Sequence, residues 1–201
     1  MKTLNFKTKE DWIAARVGKI TGTRLKDIIV LRGSAPKKGF YDLIAERVAL
    51  PADGENPIER GLRLESEAMA RFTKETDKKV DGSLIMWVSD ENESMAISPD
   101  GFIGKTEAVE IKCLNSASHI EAWLTQKLPS EYQFQAYQYF IINEKLKTLY
   151  FAFYDPRIPS KDFFYLTINR KDISEEVEKY HAEQLRVLAE VEKIVLELTP
   201  L

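Results

Sequence analysis

The stretch that most constrains the fold is residues 95–113, which reads MAISPDGFIGKTEAVEIKC. Two runs of extended character, residues 95–103 and 108–113, flank a short segment that contains a glycine. A connection of this length and composition predicts an antiparallel β-hairpin. We therefore expect Asp100 and Glu110 to lie on neighbouring strands.

The residues of the hairpin also indicate a cation-dependent hydrolysis. Side chains alternate along a strand, so Glu110 and Lys112 should share one face while Ile111 points into the core. Carboxylates at Asp100 and Glu110, with the Ile111 main-chain carbonyl, are the oxygen ligands that Mg²⁺ prefers. Lys112 would orient the attacking water and offset charge in the transition state of phosphodiester hydrolysis. An ordinary hairpin with a surface Glu–Lys pair is the alternative that this short pattern leaves open.

Length and composition indicate one soluble domain over residues 1–201, because chains split into several domains mainly beyond about 250 residues. The single cysteine, Cys113, excludes a disulfide framework and a four-cysteine metal site, and it is expected to be a buried strand residue. The two histidines lack metal-ligand spacing. With no signal peptide or long apolar stretch, we expect a cytoplasmic protein that does not contact membranes.

Charge is unevenly distributed along the chain. Residues 1–50 hold eleven Lys/Arg against five Asp/Glu, whereas the formal net charge of the whole chain is −3. This predicts that the N-terminal quarter faces a phosphate backbone, with chance clustering on a solvated face as the alternative. Arg32, Lys37 and Lys38 in a basic loop are candidates for non-specific DNA contacts, although solvated loop side chains are the commoner case.

The N-terminal region contains a candidate phosphate site. Thr8 should cap a first helix, which would place Trp12 and Arg16 one turn apart, and Thr21 should cap a second helix. A helix N-terminus favours an anion, and the Arg16 guanidinium with the Thr23 hydroxyl could hold a terminal phosphate. The structural alternative is that Arg16 pairs with an acid and Thr23 only caps.

A helix over residues 61–76 should place Glu65, Met69 and Phe72 on one apolar face. A carboxylate on a buried face is costly unless a cation accepts it, so Glu65 should meet either a metal or an arginine. Further helices are expected at residues 40–49, 117–126, 130–142 and from Asp172 onward, and further strands at residues 84–88, 148–154 and 163–168. This order implies an α/β fold with a mixed central β-sheet flanked by α-helices.

Several motifs follow one another in a fixed order. They are Trp12…Arg16-x-Gly18-x-Ile20-Thr21-Gly22-Thr23-Arg24, Gly61-x-x-x-Glu65, Ser98-Pro99-Asp100-Gly101 with Val109-Glu110-Ile111-Lys112-Cys113, Gln133-x-Gln135, and Tyr154-Asp155-Pro156-Arg157. This series resembles the phage-type (lambda exonuclease or YqaJ-like) alkaline exonucleases, a branch of the restriction-endonuclease-like nucleases. The resemblance covers roughly residues 10–160.

The resemblance implies a processive 5′→3′ exonuclease that degrades one strand of double-stranded DNA to 5′-mononucleotides and leaves 3′ tails for recombination by strand annealing. It implies two Mg²⁺ ions, with Mn²⁺ as a substitute. It assigns metal binding to Glu65, Asp100, Glu110 and the Ile111 carbonyl, further catalytic roles to Lys112 and Gln135, 5′-phosphate binding to Arg16, Thr23 and Ser98, and base-pair separation to Ile58. Since Gln133 and Gln135 cannot face the same way, only one of them should reach the reaction centre.

The resemblance further implies a homotrimeric ring around DNA, a single-strand annealing protein as partner, and a phage or prophage origin in a bacterial host. Two other functions stay open. One is a structure- or site-specific DNA endonuclease on the same core, and the other is a non-catalytic DNA-end-binding recombination protein.

Overall fold

The computed structural model describes residues 1–30, 37, 39–40, 43, 59–114, 116–156 and 158–199. The strands are β1 (Lys2–Asn5), β2 (Ile85–Val88), β3 (Ala96–Ile97), β4 (Gly101–Ile103), β5 (Glu107–Lys112), β6 (Thr148–Tyr154) and β7 (Phe163–Asn169). The helices are α1 (Lys9–Ala14), α2 (Leu25–Ile28), α3 (Glu59–Thr76), α4 (Ser116–Thr125), α5 (Ser130–Ile142) and α6 (Ser174–Leu198), with 3₁₀ turns at Gly22–Arg24, Pro159–Lys161 and Arg170–Asp172.

A four-stranded mixed sheet in the order β4-β5-β6-β7 forms the centre of the fold. Strands β4 and β5 are antiparallel, with Gly101 opposite Val109, and Gly104 takes a positive φ of 58° in the turn between them. Strands β5 and β6 are parallel, so the chain must cross over between them, and α4 and α5 supply that crossover. The predicted hairpin and the predicted α/β fold with a mixed sheet are confirmed.

The expectation that residues 95–103 form one arm of the hairpin is wrong. Strand β3 belongs to a second, antiparallel sheet in the order β1-β2-β3, and only β4 pairs with β5. The physical reason lies in Pro99, which has no main-chain N–H and separates the two strands. Strand β1, which pairs with β2 at sequence separations of 80 to 86 residues, was not predicted.

The two faces of the mixed sheet bury different side chains of β5. Val109 and Ile111 pack with Ala68 and Phe72 of α3 in one buried cluster. Glu110, which lies between them in sequence, points to the opposite face and contacts α5. The alternation expected for a strand therefore places the candidate catalytic carboxylate against α5.

The N-terminal elements follow the predicted caps in part. The Thr8 hydroxyl accepts a hydrogen bond from the Asp11 N–H at 3.1 Å, so the expected cap of α1 is confirmed. Thr21 takes the N-cap position of the 3₁₀ turn Gly22–Arg24, but its side chain makes no capping hydrogen bond. The second helix is consequently a 3₁₀ turn continued by a short α2.

The remaining expected elements are present with small changes of boundary. The predicted helices at residues 61–76, 117–126 and 130–142 correspond to α3, α4 and α5, and the last helix begins at Ser174. The predicted strands at residues 148–154 and 163–168 correspond to β6 and β7. The helix expected at residues 40–49 lies largely outside the described residues. Among the helices of the described part, none is both long and apolar enough to cross a membrane.

Candidate active site

Glu110 is the most firmly held carboxylate of the candidate site. It is only 4% exposed. Its Oε1 accepts hydrogen bonds from Lys112 Nζ at 2.6 Å and from Gln135 Nε2, and its Oε2 accepts one from the Tyr139 hydroxyl. Three donors from β5 and α5 thus compensate a buried charge that would otherwise be costly.

Asp100 is partly buried beside Glu110 and has a different environment. Its Oδ2 accepts a hydrogen bond from the Ile111 N–H at 2.7 Å. Burial, and then the negative charge of Glu110, raise the pKa of Asp100 well above its ordinary value, while Lys112 and the Ile111 N–H act in the opposite direction. The ionised form of this carboxyl is therefore disfavoured, and a cation nearby would relieve that cost.

A cleft of about 640 Å³ opens beside Asp100. Its wall includes Lys9 and Trp12 of α1, Asp100, Ile111, and a row along α3 formed by Glu65, Met69 and Thr73. These three residues of α3 are four apart in sequence, so they form one stripe along the helix. The cleft therefore runs along α3 from the candidate carboxylates.

Glu65 does not lie on a buried face as the sequence predicted. Its side chain is 40% exposed, and its Oε2 lies 4.0 Å from Lys9 Nζ. The correction has a simple cause: the stripe that carries Glu65 faces the cleft, whereas Phe72 turns toward the sheet. The cationic neighbour of Glu65 in the structure is Lys9 of α1 rather than an arginine. An exposed ion pair at this distance contributes little, ~0–1 kcal/mol.

The donor set fits a hard divalent cation in its chemistry. Asp100 and Glu65 both line the cleft, and Ile111 lies beside them. Among the described residues, however, no three His, Cys, Asp or Glu side chains are grouped closely enough to hold a metal ion in this conformation. In this conformation Glu110, the third expected carboxylate, accepts hydrogen bonds from its three donors.

The candidate phosphate residues approach the carboxylates from the side of α1. The Arg16 guanidinium lies 4.5 Å from the centre of the Trp12 ring, as the predicted one-turn spacing required. Burial lowers the pKa of Arg16, and the negative charges of Glu110 and Asp100 oppose that shift, so the guanidinium lies near both carboxylates. The pairing of Arg16 with these acids is through space rather than by a close ion pair.

Ser98 and Thr23 differ in their surroundings. Ser98 is buried two residues before Asp100, and its Oγ has no hydrogen-bond partner among the described residues. Thr23 is exposed on the 3₁₀ turn. A buried hydroxyl without a partner is unusual and marks Ser98 as the polar atom that a ligand could satisfy.

Some candidate DNA contacts cannot be placed. Arg32, Lys38 and Ile58 lie outside the described residues. Lys37 is exposed, and its Nζ donates a hydrogen bond to the Lys26 carbonyl at 3.0 Å. This contact ties the Lys37 side chain to α2.

Helix α5 contributes one expected and one unexpected residue. Gln135 is buried and contacts Glu110, whereas Gln133 is exposed. Tyr139 was not among the site residues expected from the sequence, yet its hydroxyl donates to Glu110. The signal that could have found it is the four-residue spacing from Gln135, which places both side chains on one helix face.

Cys113 does not serve the candidate site as a nucleophile, and His119 packs against β7. Burial, followed by the charges of Glu65 and Asp100, raises the pKa of Cys113 to about 11, so its thiol stays protonated and unreactive at neutral pH. Cys113 is half-buried rather than fully buried as expected, because it follows the last residue of β5. His119 is buried against Phe164, and its Nε2 is 2.8 Å from the Lys161 carbonyl.

The mixed sheet and its flanking helices define an α/β nuclease fold. An alkaline exonuclease (LHK-Exo) from Laribacter hongkongensis has the same fold, with a TM-score of 0.79, 29% identity, and coverage of 94% of this chain and 96% of that chain. A crystal structure of LHK-Exo in complex with dAMP matches with a TM-score of 0.78 at 29% identity, covering 94% and 98%. A phage-related exonuclease from Haemophilus somnus 129PT matches with a TM-score of 0.61 at 12% identity, covering 90% and 96%, and shares the fold alone.

The chain belongs to the YqaJ-like viral recombinase family, whose model matches residues 11–145. The family inferred from the order of the sequence motifs is thereby confirmed. A search of curated protein sequences gave no significant match.

Proposed function

We propose that the protein is a metal-dependent 5′→3′ exonuclease that degrades one strand of double-stranded DNA during recombination. It is a deoxyribonuclease of the YqaJ-like family, with the fold of an alkaline exonuclease. The observation that carries the proposal is the buried Glu110, held by Lys112, Gln135 and Tyr139 next to Asp100. A buried, hydrogen-bonded carboxylate beside a second acid suits phosphodiester hydrolysis at the head of a cleft.

The residues proposed to bind the cation are Asp100, Glu65, Glu110 and the Ile111 carbonyl. Mg²⁺ is the proposed ion, with two ions per site and Mn²⁺ as a substitute, and it would supply Lewis acidity at the scissile phosphate. The Ile111 N–H orients Asp100 by holding its Oδ2. The other carboxylate oxygen is left for a ligand.

Lys112 and Gln135 are proposed to act on the water and the phosphate. Both side chains now donate to the same oxygen of Glu110, so their polar ends lie close together. Lys112 would hold the attacking water and offset negative charge as the phosphate becomes pentavalent. Gln135 would position the same water or a phosphate oxygen. Glu110, the common acceptor, would fix the positions of the Lys112 and Gln135 side chains.

The end of the strand is proposed to bind through Arg16, Thr23 and Ser98. Support comes from the nearness of Arg16 to Asp100 and Glu110, and from the unpartnered buried hydroxyl of Ser98. An arginine and hydroxyl groups are suited to a terminal phosphate. A bound 5′-phosphate would place the next phosphodiester bond over the carboxylates, and repeated binding would draw the strand forward.

Processivity is proposed to depend on a homotrimeric ring around the DNA, with 3′ tails passed to a single-strand annealing protein. A ring would retain DNA without a strongly basic surface, in agreement with the net charge of −3. The single domain of residues 1–201 and a phage or prophage origin are parts of the same proposal.

The test is digestion of linear duplexes in the presence of Mg²⁺, with 5′-phosphate ends, 5′-hydroxyl ends and a closed circle as parallel substrates. We expect rapid loss of the phosphorylated linear DNA and an intact circle. Arg16→Ala should slow digestion most on phosphorylated ends, whereas Arg186→Ala, an exposed arginine of α6, should behave like the wild type. Cleavage of the circle would support an endonuclease, and absence of cleavage would support an end-binding protein.

A further inference from the structure

A pair of buried glutamines joins α5 to the C-terminal helix α6. Gln138 and Gln184 are both fully buried. Gln138 Nε2 donates to Gln184 Oε1 at 3.1 Å, and Gln184 Nε2 donates to Gln138 Oε1 at 2.8 Å. Two buried amides are costly unless their polar atoms are paired, and this reciprocal contact pairs them.

The same amide of Gln138 also faces two main-chain carbonyls. Its Nε2 lies 2.9 Å from the Ile20 oxygen and 3.3 Å from the Ala96 oxygen. An amide nitrogen carries two hydrogens, so one is directed to Gln184 and the other is shared between the carbonyls. One side chain therefore ties two separate segments of the chain together.

These two segments lead directly to the proposed phosphate pocket. Ile20 lies between Arg16 and Thr23, and Ala96 lies two residues before Ser98. The segments are also bonded to each other, because the Ala96 N–H donates to the Ile20 carbonyl at 3.1 Å. A displacement of this junction would move both walls of the pocket.

Helix α5 touches the same junction at a second point. A Cβ added to Gly22 would lie 2.7 Å from Gln135 Cγ and 2.4 Å from Ile97 Cδ1, closer than atoms can approach. The 3₁₀ turn, strand β3 and helix α5 are therefore in direct contact without spare room. Packing of this kind transmits small shifts instead of absorbing them.

We propose that Gln138, held in place by Gln184, is a positioning residue that sets the spacing between the Arg16–Thr23 segment and Ser98, and so sets selectivity for 5′-phosphorylated ends. The inference rests on the phosphate pocket of the proposed function. Gln184 lies outside residues 11–145, the span matched by the family model. Selectivity for the DNA end thus depends on α6, a helix that contributes no residue to the proposed phosphate pocket.

The experiment uses the double variant Gln138→Met/Gln184→Met in the full chain. It replaces both amides by unbranched apolar side chains of similar length, so neither partner is left as an unpaired buried amide. The matched control is Arg186→Met, which changes an exposed residue of α6. Two readouts are compared: the ratio of digestion rates on 5′-phosphate and 5′-hydroxyl ends, and amide hydrogen exchange without DNA.

We expect the ratio of rates to fall by about tenfold to a hundredfold in the double variant, because a misplacement of about 1 Å has an effect of that order. Exchange in residues 18–24 and 94–98 should accelerate by at least about tenfold, since these segments lose their common anchor. The control should match the wild type in both readouts. Gln184→Met alone, which keeps the contacts of Gln138 to Ile20 and Ala96, should show a smaller loss of selectivity.

A double variant that unfolds at the wild-type temperature and keeps the wild-type ratio of rates would overturn the inference. Unchanged exchange in both segments would overturn it as well. A wild-type enzyme with no preference for phosphorylated ends would instead reject the phosphate pocket of the proposed function. In that case hydrogen exchange still decides whether Gln138 couples the two segments.

Discussion

The two glutamates of the candidate site, Glu110 and Glu65, differ in burial and in hydrogen bonding. The side chain of Glu110 is 6% exposed and is held by three donors. The side chain of Glu65 is 40% exposed and, within the described part of the chain, its cationic neighbour is Lys9 at 4.0 Å. Asp100 lies between them, with one oxygen bound to a main-chain N–H and a carboxyl that is disfavoured as an anion.

This contrast indicates how such a site can be assembled before its cation binds. The buried carboxylate is stabilised by the protein itself, so the position of β5 relative to α5 does not depend on a metal. The carboxylates that line the cleft remain available for ligands. A divalent cation would then meet one fixed acid and two accessible ones.

The largest effect on hydrolysis is expected from a substitution among the residues that hold Glu110. Lys112→Ala removes both a donor to Glu110 and the proposed water-positioning group, so hydrolysis should fall by about 10²–10³-fold or more. Binding to linear DNA should change little, as measured by fluorescence anisotropy. Lys105→Ala, in the exposed turn of the same hairpin, is the control and should keep wild-type turnover. Near-normal hydrolysis by Lys112→Ala would refute the site.

A smaller effect is expected when Glu110 loses only one donor. Tyr139→Phe keeps the ring packed against Trp87 but removes the hydroxyl that donates to Oε2. Loss of an orienting partner of a metal ligand typically weakens metal affinity about 10–100-fold. Isothermal titration with Mn²⁺ measures this, with Tyr137→Phe on the same helix as control. Equal affinities in the two variants would show that Tyr139 does not orient Glu110 for metal binding.

The third effect is a change in stability with pH and concerns Asp100. The pKa of Asp100 is raised in the folded state, so the folded chain keeps a proton that the unfolded chain has released. This group therefore lowers the free energy of unfolding as the pH rises above the ordinary pKa of Asp. Without metal, Asp100→Asn should therefore unfold at a higher temperature than the wild type at mildly alkaline pH. The difference should shrink in acid, below the ordinary pKa of about 3.9.

Glu65→Gln is the matched control for this stability measurement, since it lies on the exposed side of the cleft. Its free energy of unfolding without metal should stay within about 0.5 kcal/mol of the wild type. Thermal unfolding in the presence of a chelator, followed across pH, compares the three proteins. A destabilised Asp100→Asn at alkaline pH would contradict the environment described for this carboxyl.

The sequence was sufficient to predict those features of the fold and site that depend on local signals. Alternation and a glycine turn predicted the hairpin of Asp100 and Glu110. Helical geometry predicted that Gln133 and Gln135 do not both reach the site, and the family motif favoured Gln135. Five ordered motifs identified the family. These features depend on neighbouring residues or on a resemblance, and neither requires knowledge of the packed fold.

The sequence was insufficient to predict contacts between segments that are distant in the chain. Strand β1 has only Leu4 as a large aliphatic residue and forms by pairing with β2, which lies about eighty residues away. Tyr139 and Gln138 read as ordinary helix residues, because their partners Glu110, Ile20 and Gln184 come together only through packing. The exposure of Glu65 depends on a cleft that several elements form together.

The most direct test of the account is a crystal structure of the protein with Mn²⁺, in which anomalous scattering locates the ion. We predict an ion at the head of the cleft in contact with Asp100, Glu110 and the Ile111 carbonyl, with Glu65 nearby and Glu110 still bonded to Tyr139. An ion bound elsewhere, or no ion at a concentration that supports DNA hydrolysis, would contradict the division between a fixed carboxylate and accessible ones.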